Sequence, residues 1–279
     1  MYQKHQMKIA VYTGKGELNS DARLSALLDE LVSGGCEVRF LAHGSLPEPD
    51  VDMIMSVGGD GTFLSVSTMA AKVGIPVVGV NLGRLGFLSE NPPETVAGAL
   101  LQGRYAIEKR TMLEMESDAA TSPEIDGWPY ALNEMTVHRS GAAILCVDVS
   151  VDGVALPTYW ADGLVVSTPS GSTAYSLSVG GPIVMPDSRV LIVSPISPHN
   201  LNVRPIVVPD SAEISIRTSS RDGKCVFTAD NRTAEIMPGQ QLTISLAQFS
   251  LNRVRLDRSD FMSALTEKLY WGEDIRNLK

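Results

Sequence analysis

A glycine-rich pentapeptide, Gly58-Gly59-Asp60-Gly61-Thr62, holds the residues of this sequence best suited to chemistry. Its glycines let the backbone approach a polyphosphate with no side chain in the way, and a helix beginning after it would add unpaired N–H donors. Asp60 cannot contact a phosphate directly without repulsion, so its useful roles are a general base toward a hydroxyl or a partner to Mg²⁺. The alternative is a tight strand-to-helix turn in which Asp60 only caps the helix, and glycine-rich turns of that kind are common.

A second polar pair, Asn133-Glu134, lies in a stretch predicted to be a strand. Adjacent strand residues point to opposite faces, so only one of the two faces a given pocket unless the pair lies at a bulge or a strand end. A ligand site would gain an amide that both donates and accepts, and a carboxylate able to take two hydroxyls of a ribose. Viewed alone, the pair is better interpreted as part of an edge strand with a solvated Glu134.

The densest group of small hydroxylated residues surrounds Gly171. The helix-like stretch Thr173–Leu177 predicts a second loop-to-helix start able to hold phosphates or a sugar, with Tyr175 offering a ring for stacking. Asp162 comes just before this region and could read a base amine or a ribose hydroxyl, or be a type I turn residue. A Ser/Thr/Gly linker between strands is the alternative for the whole loop, and the buried-looking run Leu164–Val166 leading into it argues against that.

For the glycine loop to bind a ligand, strands and helices must place the loop at the edge of a sheet. The first hundred residues alternate strand-like and helix-like segments that could do so. Val51–Val57 reads as a buried strand that runs directly into the loop, and Phe63–Val73 suits the following helix with Gly74 as its C-cap. This unit predicts a doubly wound α/β domain with the loop at the carboxyl ends of parallel strands, where ligands of such folds bind. The other predicted elements are the strands Lys8–Tyr12, Cys36–Leu41 and Ile75–Val80 and a helix over Asp21–Val32.

The pattern changes after Gln102-Gly103, where strand-like runs follow one another with turns and few helical segments. We predict an N-terminal domain over residues 1–103 and a β-rich, sandwich-like C-terminal domain over residues 104–255. The polar stretch Asp118–Trp128 predicts an exposed hairpin-like loop. The predicted strands of the second domain are Tyr130–Val137, Leu145–Val151, Leu164–Thr168, Val190–Val193, Ile206–Val208, Ala212–Arg217 and Leu242–Leu246.

The last segment predicts a helix over Ser259–Trp271 that begins with a capping residue. Phe261, Leu265 and Leu269 recur at i, i+4 and i+8, as one buried helix face requires. We expect residues 256–279 to pack back on the first domain.

Composition excludes several functional classes. The chain has 279 residues, 44% of them hydrophobic, and 32 acidic against 23 basic residues give a formal charge of −9. No broad basic field is available to hold a nucleic acid. Cys36, Cys146 and Cys225 lie far apart without C-x-x-C spacing, which argues against disulfides and structural zinc. No run approaches the roughly 20 apolar residues that span a bilayer, so we expect a cytoplasmic protein without a membrane segment.

Taken together, the motifs resemble the NAD kinase family. GGDGT is followed by NE and then by a DG that leads into STPSGSTAYSLSVGGP. The resemblance extends from Met7 to about Leu256. GGDGT alone is shared with diacylglycerol kinase-like, sphingosine kinase-like and phosphofructokinase-like enzymes, so by itself it indicates only phosphoryl transfer. The third motif, the DG that leads into STPSGSTAYSLSVGGP, is what favours the NAD kinase family among them.

The resemblance implies an α/β fold plus a β domain, and transfer of the γ-phosphoryl of ATP, or of polyphosphate, to the 2′-hydroxyl of the adenosine ribose of NAD. It implies that Asp60 is the catalytic base, that Mg²⁺ or another divalent cation accompanies ATP, and that the chain forms a homodimer or homotetramer through its β domain. No residue is predicted as a dedicated metal ligand. From the loop chemistry and the resemblance together, the residues predicted to bind the nucleotides are Gly58, Gly59, Gly61, Thr62, Phe87 (on the adenine side), Asn133, Glu134, Asp162, Ser170, Thr173, Ala174, Tyr175, Ser176, Leu177 and Ser178.

Two positions depart from the family pattern. Trp160 stands two residues before Asp162, where relatives often have a basic residue, and Arg232 stands where the family's Asp-x-Gln segment has Gln. Two other functions remain as alternatives. A lipid kinase would need a greasy or basic membrane-facing patch, which this acidic chain does not display. A dinucleotide sensor without turnover would not need Asp60.

Overall fold

The computed structural model describes residues 6–14, 21–83, 86–118, 128–257 and 260–271. The chain divides into two compact units, one of residues 1–109 and 251–279 and the other of residues 110–250. In chain order the described elements are β1 (Lys8–Tyr12), α1 (Ala22–Ser33), β2 (Glu37–Phe40), β3 (Met53–Val57), α2 (Asp60–Val73), β4 (Val77–Val80), α3 (Pro93–Leu101), β5 (Tyr105–Ser117), β6 (Tyr130–Ala131), β7 (Glu134–Arg139), β8 (Leu145–Val151), β9 (Val154–Ala155), β10 (Tyr159–Ala161), β11 (Gly163–Ser167), a 3₁₀ turn (Ser170–Thr173), α4 (Tyr175–Ser178), β12 (Val190–Ile196), β13 (Ile206–Pro209), β14 (Ile214–Ser219), β15 (Cys225–Ala229), β16 (Arg232–Ile236), β17 (Gln241–Leu256) and α5 (Phe261–Leu269).

The first unit is built on a parallel sheet with the order β2-β1-β3-β4, and β17 adds its last residues beside β4. All five residues of β3 are buried, as expected of a central parallel strand. The chain passes directly from this strand into the glycine loop, which lies at the carboxyl edge of the sheet. The predicted α/β architecture is confirmed.

The main difference in this unit concerns the start of α2. The helix begins at Asp60, three residues before the predicted Phe63, and Gly59 is its N-cap. Part of the glycine loop therefore belongs to the first helical turn. The strand β4 begins at Val77 and not at the predicted Ile75, because Ile75 precedes a proline and Pro76 has no N–H for a ladder.

The second unit contains two antiparallel sheets. One has the order β10-β8-β14-β17, and the other has the order β13-β12-β11-β7-β15-β16. Alternate side chains of both sheets enter one core, which includes Val147, Val149, Val137, Val166 and Phe227. This arrangement confirms the predicted sandwich-like β domain.

One predicted strand of this unit divides in two. Tyr130–Val137 forms β6 and β7 with Leu132 and Asn133 between them. The backbone N–H groups of Leu132 and Asn133 donate to the carboxylate of Asp230, both at 2.8 Å, and not to a neighbouring strand. The break therefore has a side-chain cause, and it places Asn133 and Glu134 at a strand end.

Other differences are omissions and boundaries. The helix α3 and the strands β5, β9, β10, β15 and β16 have no counterpart among the predictions, and β17 is far longer than the predicted Leu242–Leu246. The predicted loop Asp118–Trp128 falls mostly outside the described residues, which stop at Asp118 and resume at Trp128.

The C-terminal helix α5 lies in the first unit, as predicted. Its N-cap is Asp260, whose side chain accepts from the Ser263 N–H, whereas the predicted cap Ser259 lies outside the described residues. Its fully buried residues are Ala264 and Leu265, and Phe261 and Leu269 are only partly buried. Among the described helices, none has the length and apolar character needed to cross a membrane.

Candidate active site

Asp60 is the first residue of α2, and its carboxylate is held by the backbone of the loop that follows β4. Oδ2 accepts the N–H of Phe87 at 2.8 Å, and Oδ1 accepts those of Leu88 at 3.0 Å and Ser89 at 2.9 Å. The alternative in which Asp60 caps the helix is wrong, because Gly59 holds that position and α2 has no side-chain cap. A carboxylate offers about four lone-pair sites, so these bonds leave one free, on Oδ2.

The glycines of the loop have different roles. Gly58 has a φ of 149°, and a Cβ there would lie 2.4 Å from Oγ1 of Thr62, so a glycine is required and Thr62 packs against the turn. Gly59 and Gly61 are exposed, and a Cβ on either would meet no atom within 4 Å. The helix begins here without a side-chain cap, so a phosphate in the open space beside the two glycines could contact backbone N–H groups.

Phe87 also contacts α5 through its side chain. Its ring lies 6.0 Å from that of Phe261, centroid to centroid, at a tilt of 48°. The Nζ atom of Lys268 stands 4.3 Å from the centre of the Phe87 ring. The loop that binds the Asp60 carboxylate is therefore held on both sides, by Asp60 through its backbone and by α5 through its ring.

In the second unit, Asn133 and Glu134 are both buried, at 6% and 9% exposure. Glu134 begins β7, which lies between β11 and β15 in the middle of its sheet. The interpretation of an edge strand with a solvated Glu134 is therefore wrong. Asp230 lies in the two-residue turn between β15 and β16, and its carboxylate accepts the N–H groups of Leu132, Asn133 and Glu134.

The loop around Gly171 packs directly against this pair. A Cβ on Gly171 would lie 2.2 Å from the carbonyl oxygen of Asn133, and the Thr168 N–H donates to the same oxygen at 2.9 Å. Four buried polar atoms of the two segments have no hydrogen-bond partner among the described residues: Asn133 Oδ1, Glu134 Oε2, Ser170 Oγ and Ser176 Oγ. Unsatisfied buried polar atoms are rare, so a group of them indicates a place for a ligand.

The acidic members of this site have altered ionisation. Burial raises the pKa of Glu134 from 4.5 to about 8, the charge of Asp230 adds to the rise, and a hydrogen bond from the Tyr175 backbone opposes it. Burial also raises the pKa of Asp230, which the backbone donors oppose. At neutral pH the Glu134 carboxyl is therefore mostly neutral, and can both donate to and accept from a hydroxyl.

The remaining predicted residues of this unit occupy different settings. The ring of Tyr175 stacks on His138, with centroids 5.7 Å apart and 17° between the planes. Asp162 precedes β11 and forms an ion pair with Arg139, at 2.6 Å from Nε to Oδ1. Burial lowers the pKa of His138, whereas the charge of Asp162 raises it. Thr173, Ala174 and Leu177 are partly buried, and Ser178 is exposed.

The two departures from the family pattern also have clear settings. The guanidinium of Arg232 donates to the backbone carbonyls of Trp128, at 2.5 Å, and of Tyr130. It therefore fixes the entry to β6, and its side chain is only partly exposed. The Trp160 side chain is 47% exposed at the end of its sheet. Among the described residues, no three His, Cys, Asp or Glu side chains lie together as a metal site.

Comparison with known proteins identifies the family. Residues 42–104 match the family model of the ATP-NAD kinase N-terminal domain, and residues 132–256 match that of the ATP-NAD kinase C-terminal domain. An NAD kinase of Flavobacterium psychrophilum is 41% identical over 243 residues, which cover 86% of this chain and 82% of that protein. The chain belongs to the ATP-NAD kinase family. An NAD kinase of Bacteroides fragilis is 38% identical over 263 residues, 93% of this chain and 86% of that protein.

Solved structures have the fold of this ATP-NAD kinase family member. The yeast NADH kinase complexed with NADH has a TM-score of 0.81 at 24% identity, covering 100% of this chain and 92% of that one. An NAD kinase from Archaeoglobus fulgidus in complex with ATP has a TM-score of 0.75 at 26% identity, covering 90% and 95%. Both comparisons agree with an α/β unit joined to a β-rich unit.

Three residues that shape the candidate site are absent from the predicted set. A Cβ on Gly86 would lie 1.8 Å from Oδ1 of Asp60, so only glycine allows this approach. Gly171 allows the contact with Asn133, and Asp230 aligns the backbone of the Asn133-Glu134 pair. Asp230 falls within the segment similar to the family's Asp-x-Gln, which was the available signal, whereas the two glycines act through contacts that no local pattern reveals.

Proposed function

We infer that this protein is an NAD kinase, which transfers the γ-phosphoryl of ATP to the 2′-hydroxyl of the adenosine ribose of NAD to give NADP. The observation that carries the inference is the 41% identity to an NAD kinase over 86% of the chain. The loop of Asp60 and the buried pair Asn133-Glu134 agree with it, since they supply a base and a polar dinucleotide site.

Asp60 is the group we assign to the chemical step. Three backbone N–H groups fix its carboxylate and leave one lone pair on Oδ2, which suits acceptance of a single proton from the 2′-hydroxyl. Phosphoryl transfer has a loose transition state, so alignment of the hydroxyl with the γ-phosphorus matters more than covalent chemistry. The open backbone at Gly59 and Gly61 leaves room for the donor phosphates.

A divalent cation fits this scheme as a companion of ATP. The free lone pair of Asp60 cannot serve the hydroxyl and a cation at once, and no dedicated cluster of ligands is present among the described side chains. We therefore propose that the donor phosphates, and not a set of carboxylates, supply most of the oxygens that hold Mg²⁺. When bound, the cation would offset charge on the transferring oxygens.

The second unit supplies the proposed dinucleotide site. Asn133 Oδ1 and Glu134 Oε2 suit ribose hydroxyls, because both atoms are buried and have no hydrogen-bond partner among the described residues. Ser170 and Ser176 add two further hydroxyls that have no partner in the described part of the chain, and Tyr175 offers a ring. Asp162, Thr173, Ala174, Leu177 and Ser178 complete the proposed lining.

Assembly and location are also proposals. A homodimer or homotetramer in which the β domain supplies the contact follows from the family resemblance, and sedimentation equilibrium would measure the subunit count. All three cysteines are free, which suits a reducing cytoplasm.

Acceptor choice tests the function. Purified protein is incubated with ATP and Mg²⁺ and either NAD, diacylglycerol or sphingosine, and the products are separated by chromatography. We expect NADP from NAD and no phosphorylated lipid. Phosphorylation of a lipid would favour the lipid kinase alternative, and tight binding of NAD without any product would favour the sensor.

A further inference from the structure

The position of the Asp60 carboxylate depends on a short segment that we call the Phe87 loop, residues 86–89. Three consecutive N–H groups of this loop donate to Asp60, and the Ser89 hydroxyl donates to the Gly59 carbonyl at 3.3 Å. Gly86 fits against Oδ1 with no room for a Cβ. A small displacement of the loop would therefore rotate or release the carboxylate.

The side chain of Phe87 connects this loop to α5. Phe261 and Lys268 lie seven residues apart, which is two helical turns, so they are on the same face of α5. Both contact the Phe87 ring, Phe261 at a centroid distance of 6.0 Å and Lys268 with its Nζ atom 4.3 Å from the centroid. One aromatic and one cationic side chain of α5 therefore contact the Phe87 ring.

The ammonium of Lys268 is placed in an unusual way for a lysine. Its Nζ atom is buried and has no hydrogen-bond partner among the described residues. Burial lowers the pKa of Lys268, whereas the charges of Asp60, Glu90 and Glu267 raise it and that of Arg253 lowers it. A lysine serving only solubility would extend into water, where its three donors are satisfied. Among the described residues, the ring of Phe87 and the charges of three carboxylates stabilise this ammonium.

We propose that Lys268 is a positioning residue for phosphoryl transfer, whose ammonium holds the Phe87 ring and through it keeps the three N–H groups of the Phe87 loop on the Asp60 carboxylate. The proposal rests on the assignment of Asp60 as the base. We assign Lys268 no direct contact with either nucleotide. It acts on the chemical step through the Asp60 carboxylate, and because Phe87 is predicted to lie on the adenine side, it also influences KM for NAD.

Steady-state kinetics of NADP formation test the proposal with Lys268→Met, Lys268→Arg and the control Lys72→Met, an exposed lysine in the last turn of α2. We expect Lys268→Met to lower kcat about 10-fold, in the range that a desolvated cation–π contact supplies, with KM for ATP within about 2-fold. Lys268→Arg keeps a cation over the ring and should retain kcat within about 3-fold. An unchanged kcat, or a change confined to KM for ATP, would overturn the proposal.

A double-mutant cycle with Phe87→Leu shows whether Lys268 acts through the ring. In the Phe87→Leu background, Lys268→Met should lower kcat by less than about 2-fold, because the contact is already lost. A full 10-fold loss there would contradict the proposal. Melting temperatures are measured for every variant to check that each one folds. If Lys268→Met does not fold, Phe261→Leu removes the other contact of α5 with the Phe87 ring and should also lower kcat. Absence of NADP from the wild type would refute the proposed function, whereas active wild type and equally active Lys268→Met would refute this inference alone.

Discussion

At the scale of single residues, Asp60 illustrates how a fold prepares a carboxylate for one task. Three backbone donors hold it, and they come from consecutive residues, so its orientation is set by main chain and not by flexible side chains. A side chain held in this way loses little further freedom when a substrate hydroxyl arrives. The same bonds mean that a substitution at this position affects both structure and chemistry.

Asp60→Asn should separate these two effects in part. The amide keeps the shape but cannot act as a base, so we expect kcat for NADP formation to fall about 10²–10⁴-fold. The amide NH₂ also faces N–H donors where the carboxylate had acceptors, so a lower melting temperature is expected. The measurement is kcat with NAD and ATP, alongside the equilibrium binding of NAD. Near-normal turnover would remove Asp60 from the mechanism.

Glu134 predicts a pH dependence of stability. Its pKa is about 8 in the folded chain and near 4.5 when unfolded, so between these values the folded state keeps a proton that the unfolded state has lost. Raising the pH through this window therefore favours unfolding, and the loss is complete above about pH 8. Glu134→Gln removes this term, so the melting temperature of the variant relative to wild type should rise from pH 5 to pH 8.

Melting temperatures of the two proteins at several pH values in matched buffers measure the difference. A gap that does not change with pH would show that Glu134 ionises normally in the fold.

At the scale of elements, periodic segments were predictable and contact-determined ones were not. The strand Lys8–Tyr12 and the helix after the glycine loop follow from buried runs and apolar spacing. The break between β6 and β7 did not, because it depends on Asp230, nearly a hundred residues away along the chain. The same limit applies to the candidate site. Its motifs could be recognised in the sequence, but the burial that keeps the Glu134 carboxyl neutral comes from the packing of a whole sheet.

The helix α3 was missed although its signal was present. Pro93 stands in its first turn, a position that proline favours because its missing N–H would be unpaired there anyway. The strands β15 and β16 are five residues each and join through a two-residue turn, so they offer little periodicity to detect.

The tight contact between the loop after β4 and the start of α2 yields a prediction. Gly86→Ala places a Cβ 1.8 Å from Oδ1 of Asp60, so the loop or the carboxylate must move. A displacement of about 1 Å in a reacting group can cost about 10²-fold, and we expect kcat to fall by that order.

Gly98→Ala in α3 is the matched control for Gly86→Ala. Its nearest contact would be the Arg104 guanidinium at 3.9 Å, so alanine should leave kcat unchanged and stabilise the helix by about 0.5–1 kcal/mol. Equal kcat values for both variants would show that the approach of Gly86 to Asp60 has no catalytic consequence.

At the scale of the whole molecule, stability depends on a buried ion cluster in the first unit. Arg253 is 2% exposed and pairs with Glu90 and, at 3.3 Å, with Glu108. Arg253→Met removes the cation that faces the buried Glu90 carboxylate, whereas Glu108 keeps its ion pair with Arg255 at 2.7 Å, and we expect a loss of about 3–5 kcal/mol in the free energy of unfolding. Arg189→Met, which breaks an exposed pair with Asp210, should cost less than about 1 kcal/mol.

Thermal unfolding of the two variants beside wild type measures this contrast. Similar melting temperatures for both would mean that water reaches the Arg253 cluster and that it does not contribute to the stability of the unit.

The two units have different proposed tasks. The first has Asp60 at the edge of a parallel sheet, and the second has buried polar atoms that find no hydrogen-bond partner among the described residues and that we propose bind the dinucleotide. The most direct test of this is the transfer itself: wild-type protein is mixed with NAD, Mg²⁺ and ATP labelled at the γ-phosphorus, and the label is followed into products. We expect labelled NADP that carries its label at the 2′-phosphate, formed at a rate that Asp60→Asn lowers. Release of the label as inorganic phosphate alone, with NAD bound but unchanged, would contradict it.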